Sequence, residues 1–572
     1  MFNRDTRDRR VRLGALGVLA LVMLLAAACA PGDPDEVDDV EDDPQAQEEA
    51  GDSEEAQDQD AESTEGSTLT IAIPDDIATL NPPDATSPRS NIALVQLYDS
   101  PFTYEHVELD DGTVIGDSTA LEGLIFEEWE TEDDGQTYTI TIREDAAFHD
   151  GEPITAEHVH YMFERSFETQ DGESGSNWYL TNVSGITEPP EVIDEHTIEL
   201  SVEQPSQLTM RSLTAIQMGI LDSQEIEENA PEDDPWANAW LSDNVAGGSG
   251  PYELVEWERD QRVVFEANAD YWRGAPDIDR IVWEIVPSAS ERVQLLQAGE
   301  VDMVEGLGPD EIAAVEGADG VDIVSVPSQN RLFLGMNNTV APYDDQAFRQ
   351  AVSHAVDYDE LIQEVYGGDA ERLHGPYPEG PAGSPHSLGD EIGYETDLAE
   401  AERLLEESGY DGSPVTLSID NSVAEHEEVA VRVQSFLAAI DVDVEIDQMT
   451  PSVFAEQRNE TTLEFFVDES LSWIDDPAYF LSVNFQCGVL INHVEYCNED
   501  IDAAIEEGWT EMDEDVRQEM FGEAQRTIVD EAPWVFIAHP DFQLAMRDHV
   551  EGYVHYIDEL PRYYDLSLSD DD

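Results

Sequence analysis

Phe148-His-Asp-Gly-Glu-Pro-Ile-Thr-Ala-Glu-His-Val159 is the stretch on which the reading of the fold turns. Its Thr155 is placed to cap a helix whose apolar positions Val159, Met162 and Phe163 recur at helical spacing. Upstream, Thr137-Tyr-Thr-Ile-Thr-Ile142 alternates as a half-buried strand, and downstream Thr197-Ile-Glu-Leu-Ser-Val202 reads as another. Further out, Leu69-Thr-Ile-Ala-Ile73 is a strand followed by turn signals at Pro74 and Asn81-Pro82-Pro83. Gly250-Pro251 breaks the chain before Tyr252-Glu-Leu-Val-Glu-Trp257 and Val263-Val-Phe265, which read as a paired hairpin. A strand at 281–286 and helices at 290–298, 346–356 and 396–407 follow. This alternation of strand and helix, with no clean internal repeat, predicts an α/β protein with more than one sheet.

Composition narrows the partners. The 572 residues carry 132 acidic and 24 basic side chains, for a formal net charge of -108. Such a polyanion is repelled by nucleic acid and by anionic lipid head groups, so neither is an unaided partner. No lysine occurs, and every basic residue is Arg. At about 1 M salt the Debye length falls to roughly 3 Å, which nearly abolishes repulsion between surface charges. The acidity therefore points to a protein built for concentrated brine; export into an alkaline habitat is the competing explanation. An aromatic share of 8% excludes a disordered acidic tail for most of the chain, and the length allows about three to four structural units.

The N-terminus reads as an address. Arg4, Arg7, Arg9, Arg10 and Arg12 precede an uncharged stretch from Leu13 to Ala28, and Ala26-Ala27-Ala28-Cys29 closes it. A basic region, a short apolar region and small residues at the cut are the parts of an export signal. Sixteen residues fall short of the roughly 20 that span a bilayer, so no retained transmembrane helix is expected. The junction resembles a bacterial lipobox, with Ala26 where Leu is commonest, which implies lipidation of Cys29 after removal of residues 1–28. Arg9-Arg10-Val11-Arg12-Leu13 loosely resembles a twin-arginine signal, and the export route stays open. Residues 30–66 hold 17 Asp or Glu and no Arg, too charged to offset their ordering entropy, and residues 29–66 read as an acidic tether. Cys487 and Cys497, ten positions apart in an exported body, are expected to form a disulfide. A metal pair is the weaker reading, because only His493 lies between them.

Searches for reactive chemistry come back empty. Gly247-Gly248-Ser249-Gly250-Pro251 fails the nucleophile-elbow pattern at its last position, and no H-E-x-x-H or phosphate-binding Gly-rich loop occurs. Pairs of acids are so common here that proximity of two carries no catalytic information. The expectation is a binding protein, with no cofactor, no metal and no enzymatic activity; an exported hydrolase would need a nucleophile and base that are not arranged here.

The opening stretch Phe148–Val159 also resembles the signature of extracellular solute-binding proteins of family 5, the dipeptide, oligopeptide and nickel receptors of ABC importers. Thr79-Leu-Asn-Pro82, Trp129-Glu-Thr-Glu-Asp-Asp-Gly-Gln-Thr-Tyr138, Gly250-Pro251-Tyr252 and Asn268-Ala-Asp-Tyr-Trp272 stand in the family's order. Leu296-Gln-Ala-Gly-Glu-Val-Asp302, Phe348-Arg-Gln-Ala-Val352 and Trp534-Val-Phe-Ile-Ala-His539 continue it, so the similarity covers essentially 68–568. The cysteine pair and the Ile537-Ala-His539 ending look most like the dipeptide-binding branch.

The resemblance implies a type II periplasmic-binding-protein fold, two lobes with a hinge plus an extra small domain. Domain I is expected at 67–100 and 246–330, domain II at 101–245 and domain III at 331–540, with 541–572 returning to domain I as the tail. It further implies a monomer that encloses a peptide or other small solute and docks on an ABC permease with its ATPase subunits. The body would sit outside the cell or on the periplasmic side, moored to the cytoplasmic membrane through the lipid. Family members place an Asp shortly after a Trp to pair with a peptide's amino terminus. Trp473-Ile-Asp-Asp-Pro477 lies there, about three residues shorter than the family's spacing, so Asp475 or Asp476 is the candidate for that role, with a purely structural role in the turn as the alternative, and Trp473 is a candidate pocket wall or a core residue. Thr86, Ser87 and Trp178 are further cleft candidates. The Arg that dipeptide receptors use for the peptide carboxylate is missing from Asn421-Ser-Val-Ala-Glu-His-Glu427. That departure favours a longer peptide or a cationic non-peptide solute. A nickel chelate or an oligosaccharide is a further alternative, although no His-rich or Met-rich cluster supports nickel.

Overall fold

The computed structural model describes residues 66–569, apart from 110, 132–134, 170–178, 380–383, 385 and 490. The chain divides into Met1–Thr64 and Glu65–Asp572. The leader, Cys29, the tether up to Glu65, and Trp178 lie outside the described residues. No helix among the described residues is long and apolar enough to cross a membrane.

The first strand, Thr68–Ile73, forms where Leu69, Ile71 and Ile73 alternate into an apolar core, all three fully buried. It runs parallel to Arg280–Ile285, with Ile71 opposite Trp283, and to Met303–Val304. Arg280–Ile285 then pairs antiparallel with Arg262–Ala267, which closes the expected hairpin with Tyr252–Glu258. Three further helices fall where the periodicity placed them, each with a capping side chain. Ser288 caps Ala289–Ala298, Asp345 caps Gln346–Ala355 and Asp397 caps Leu398–Ser408.

Among the described residues, twelve strands join into one sheet that runs through both halves of the body, beside three smaller sheets. The long strand Trp534–Arg547 connects the halves. Its first part pairs with Arg331–Met336 and Ala370–Arg372, its second with Val321–Pro327 and Met303–Val304. The chain therefore crosses between halves twice, side by side, at 327–331 and at 538–541. Each half has its own core. Leu69, Ile71, Phe265 and Trp283 belong to one, and Leu334, Phe348, Val433 and Phe465 to the other.

Residues 126–201 build a separate four-stranded sheet, ordered Phe126–Thr131, Thr137–Ile142, Thr197–Ser201, Glu191–Asp194. The helix Ala156–Thr169 packs Val159, Met162 and Phe163 against Ile140 and Ile198. At its start the His158 ring caps the chain, Nδ1 accepting from the Thr155 N–H at 3.1 Å. The opening stretch is a tight turn that locks onto the main body. His149 N–H donates to Gly248 O at 2.9 Å, and its ring Nε2 lies 3.0 Å from Gly250 O. Gly248 has φ 62, and a Cβ there would strike the His149 ring, so only glycine serves. The strands Phe102–Glu108 and Val114–Gly123, expected to open the inserted body, are tied to the C-terminal return through Val554 and His555.

Candidate functional site

A cavity of about 380 Å³ lies between the two halves. One wall comes from Pro74 and Asp75, just past the first strand, from the first turns of the helix Pro88–Leu97, and from Thr214–Gln217. The opposite wall is Leu471, Trp473 and Ile474, which follow the strand Phe465–Ser470. The floor is the second half of the long strand, at Phe542–Leu544, with Asp558–Pro561 of the C-terminal return.

The Trp473–Pro477 segment divides its labour. Asp476 is buried and caps the helix Pro477–Asn484, accepting from Ala478 N–H at 2.8 Å and Tyr479 N–H at 3.3 Å. Its other oxygen accepts from Arg517 Nη2 at 2.5 Å, with both side chains almost fully buried. Both oxygens are engaged within the same half, so Asp476 holds the fold together. Asp475 instead faces the other half. It accepts from the Ser118 hydroxyl at 3.0 Å, and Arg211 Nη1 approaches its carbonyl at 3.5 Å. Burial pushes the Asp475 carboxyl up to about 6, with Asp476 adding to the rise and Ser118, Arg331 and Arg211 opposing it. Around these acids the halves touch through apolar contacts, Ile474 and Tyr479 packing with Val183 and Leu208.

Trp473 sits in the cavity wall. Ser87 caps the helix Pro88–Leu97 through Ser90 N–H at 3.2 Å, and Thr86 is exposed. The helix they introduce walls the cavity with Arg89, Asn91 and Ile92, while the two side chains themselves stand outside it. Cys487 and Cys497 bring their sulfurs within bonding distance.

Sequence reasoning missed the polar group on the floor. Arg89 Nη1 pairs with Glu305 at 2.5 Å, Tyr563 donates to the same carboxylate at 3.0 Å, and Trp283 Nε1 donates to the Tyr563 hydroxyl at 3.0 Å. Burial works against the Arg89 charge, but Glu305 outweighs it and the guanidinium is held firmly protonated. Asp558 is clasped by both Nη atoms of Arg562, at 2.5 and 2.6 Å. At the crossing, Ser328 donates to Pro540 O at 2.9 Å and Asn330 donates to Glu469 at 2.7 Å. These residues are far apart in sequence, and no local motif marks them.

Residues 120–490 match the family described as bacterial extracellular solute-binding proteins, family 5 Middle. The chain belongs to that family. Among its relatives is the probable D,D-dipeptide-binding periplasmic protein DdpA of Escherichia coli strain K12, 26% identical over 76% of this chain and 83% of that protein. The di/tripeptide-binding protein 2 of Pseudomonas aeruginosa strain UCBPP-PA14 is 27% identical over 77% and 84%. Among solved structures, the ABC transporter-associated periplasmic binding protein DppA from Helicobacter pylori, in complex with the peptide STSA, superposes with a TM-score of 0.77. At 22% identity it covers 88% of this chain and 98% of its own, and the two share a fold of the periplasmic-binding type. These relatives are substrate-binding proteins.

Proposed function

We propose that this protein is the substrate-binding component of an ABC importer, which closes around small peptides in the cavity between its halves and hands them over intact. Asp475 carries the reading: next in sequence to the cavity-wall residues Trp473 and Ile474, it meets the other half, its carboxylate at Ser118 and its backbone carbonyl at Arg211. A guest ammonium that takes the place of the Ser118 hydroxyl gains a charge-assisted bond in a poorly solvated site. Ligand contacts made from both halves favour the closed state over the open one. Arg211 offers the cation for a peptide carboxylate that the Asn421–Glu427 segment lacks. A volume of about 380 Å³ stands near the lower end of the roughly 300–1,000 Å³ of ligand pockets, which suits a short guest. The names of the curated relatives, dipeptide and di/tripeptide binders, support the same class.

Around this core we infer a monomer moored by lipid on Cys29, held clear of the membrane by its acidic tether, stapled by Cys487–Cys497 and adapted to brine. Native mass spectrometry in volatile salt after incubation with mixed short peptides tests the capture. Unaltered peptides released from the complex support it. Hydrolysed peptides, or none retained, overturn it. Fatty-acid labelling that disappears in Cys29→Ser tests the anchor.

A further inference from the structure

The cavity is lined by four carboxylates, Asp75, Glu305, Asp558 and Glu559, against a single guanidinium, Arg89. Internal pairing accounts for most of them. Arg89 engages Glu305 at 2.5 Å and reaches Asp75 at 3.5 Å, and Arg562 from behind the wall clasps Asp558. Glu559 is left. Its Oε1 is shut off from solvent and has no hydrogen-bond partner among the described residues. The backbone that presents it lies at φ 55, a left-handed conformation that a glutamate adopts only at a cost. A strained residue of the cavity lining that keeps one buried carboxylate oxygen unpaired is placed for a ligand, because burial without a partner is otherwise pure loss.

We propose that Glu559, in the lining of this cavity, is an anchor additional to Asp475, and receives an ammonium or guanidinium carried on the side chain of the guest. The assignment rests on the cavity being the guest site. It makes the preferred guests cationic peptides, held at the amine by Asp475 and at the side chain by Glu559. A neutral side chain of the same shape leaves Oε1 unpaired, and discrimination against it is expected on the order of tenfold to a hundredfold.

The same geometry couples binding to pH. Burial raises the Glu559 carboxyl to about 8; Ser328 opposes the rise, and Glu469 and Asp558 add to it. Tyr553 also faces it across the return segment. Below pH 8 a cationic guest must expel the proton, so its affinity falls by up to tenfold for each further pH unit.

The test is competition among synthetic di- and tripeptides that carry Arg or its neutral isostere citrulline, read by native mass spectrometry at pH 8.5 and pH 6. Wild-type protein should enrich the Arg peptides at least tenfold at pH 8.5 and lose most of that preference at pH 6. Glu559→Gln should bind both kinds alike at both pH values and melt no lower than the wild type, whereas Glu559→Asp should retain part of the preference. Equal retention of Arg and citrulline peptides by the wild type at pH 8.5 overturns the Glu559 assignment alone. Retention of neither peptide overturns the capture reading and this inference with it.

Discussion

Replacing Asp475 with Asn should make the protein more stable and a worse binder at the same time. A carboxyl raised from 3.8 to about 6 binds its proton more tightly in the folded chain than in the unfolded one. Between those values the folded state holds more protons, so stability falls as the pH climbs through the window. At about 1.4 kcal/mol per tenfold change in proton affinity, the penalty reaches about 3 kcal/mol at pH 7. Asn keeps an oxygen for the Ser118 hydroxyl and removes the charge, so Asp475→Asn recovers most of that amount at pH 7 and almost none at pH 4. Unfolding entropy of about 2.1 cal/mol/K per residue converts this to a rise in Tm of about 3 °C for a cooperative unit of this size. The assay is calorimetry of both proteins at pH 4, 5.5 and 7 in fixed high salt, paired with titration of a free-amine peptide and its N-acetylated form. Wild type should prefer the free amine by tenfold or more, and the variant should not distinguish the two. A variant less stable than wild type at pH 7, or one with an unchanged preference for the amine, refutes the reasoning.

Three further outcomes follow from the same structure. Arg517→Met strands Asp476 as a buried, uncompensated charge and should cost about 3–5 kcal/mol in denaturant titrations; a loss under 1 kcal/mol would show that the pair is dispensable. Cys497→Ser opens the ten-residue link and should cost about 2–3 kcal/mol on the loop-entropy argument, a difference that a reductant abolishes. Transfer from about 3 M to 0.1 M salt restores repulsion within a chain of net charge -108 and should erase native circular dichroism; a full native signal at low salt would contradict adaptation to brine.

The strands at 137–142 and 197–202 were legible because each buries one face, and burial writes a period of two into the sequence. The caps were equally local: Thr155 and the helix it starts occupy adjacent positions, so their chemistry appears in a short window. What a window cannot contain is the pairing of Trp534–Arg547 with strands of both halves. In the sequence that strand is two apolar stretches broken at His539-Pro540-Asp541, and its partners begin 213 positions earlier at Val321 and 203 earlier at Arg331. The hinge-like double crossing is a property of pairing at long range, visible beforehand only through resemblance to a family.

The site divides along the same line. Trp473, Asp475 and Asp476 form a contiguous motif, so the sequence could point to them together, but it left the two acids interchangeable. What separates them is Arg517, 41 positions away, which consumes Asp476 and leaves Asp475 to face the other half. Glu559 was hidden for a stronger reason. In a chain with 132 acidic residues a lone glutamate carries no signal, and its distinction is purely spatial: Asp558 beside it is neutralised by Arg562, while Glu559 Oε1 is not paired among the described residues. So acidic a composition conceals any single carboxylate that a guest would meet. Solvated acids are screened by salt, whereas a carboxylate in a closed cavity is screened much less. Ligand preference in this protein should therefore survive salt concentrations that silence its surface.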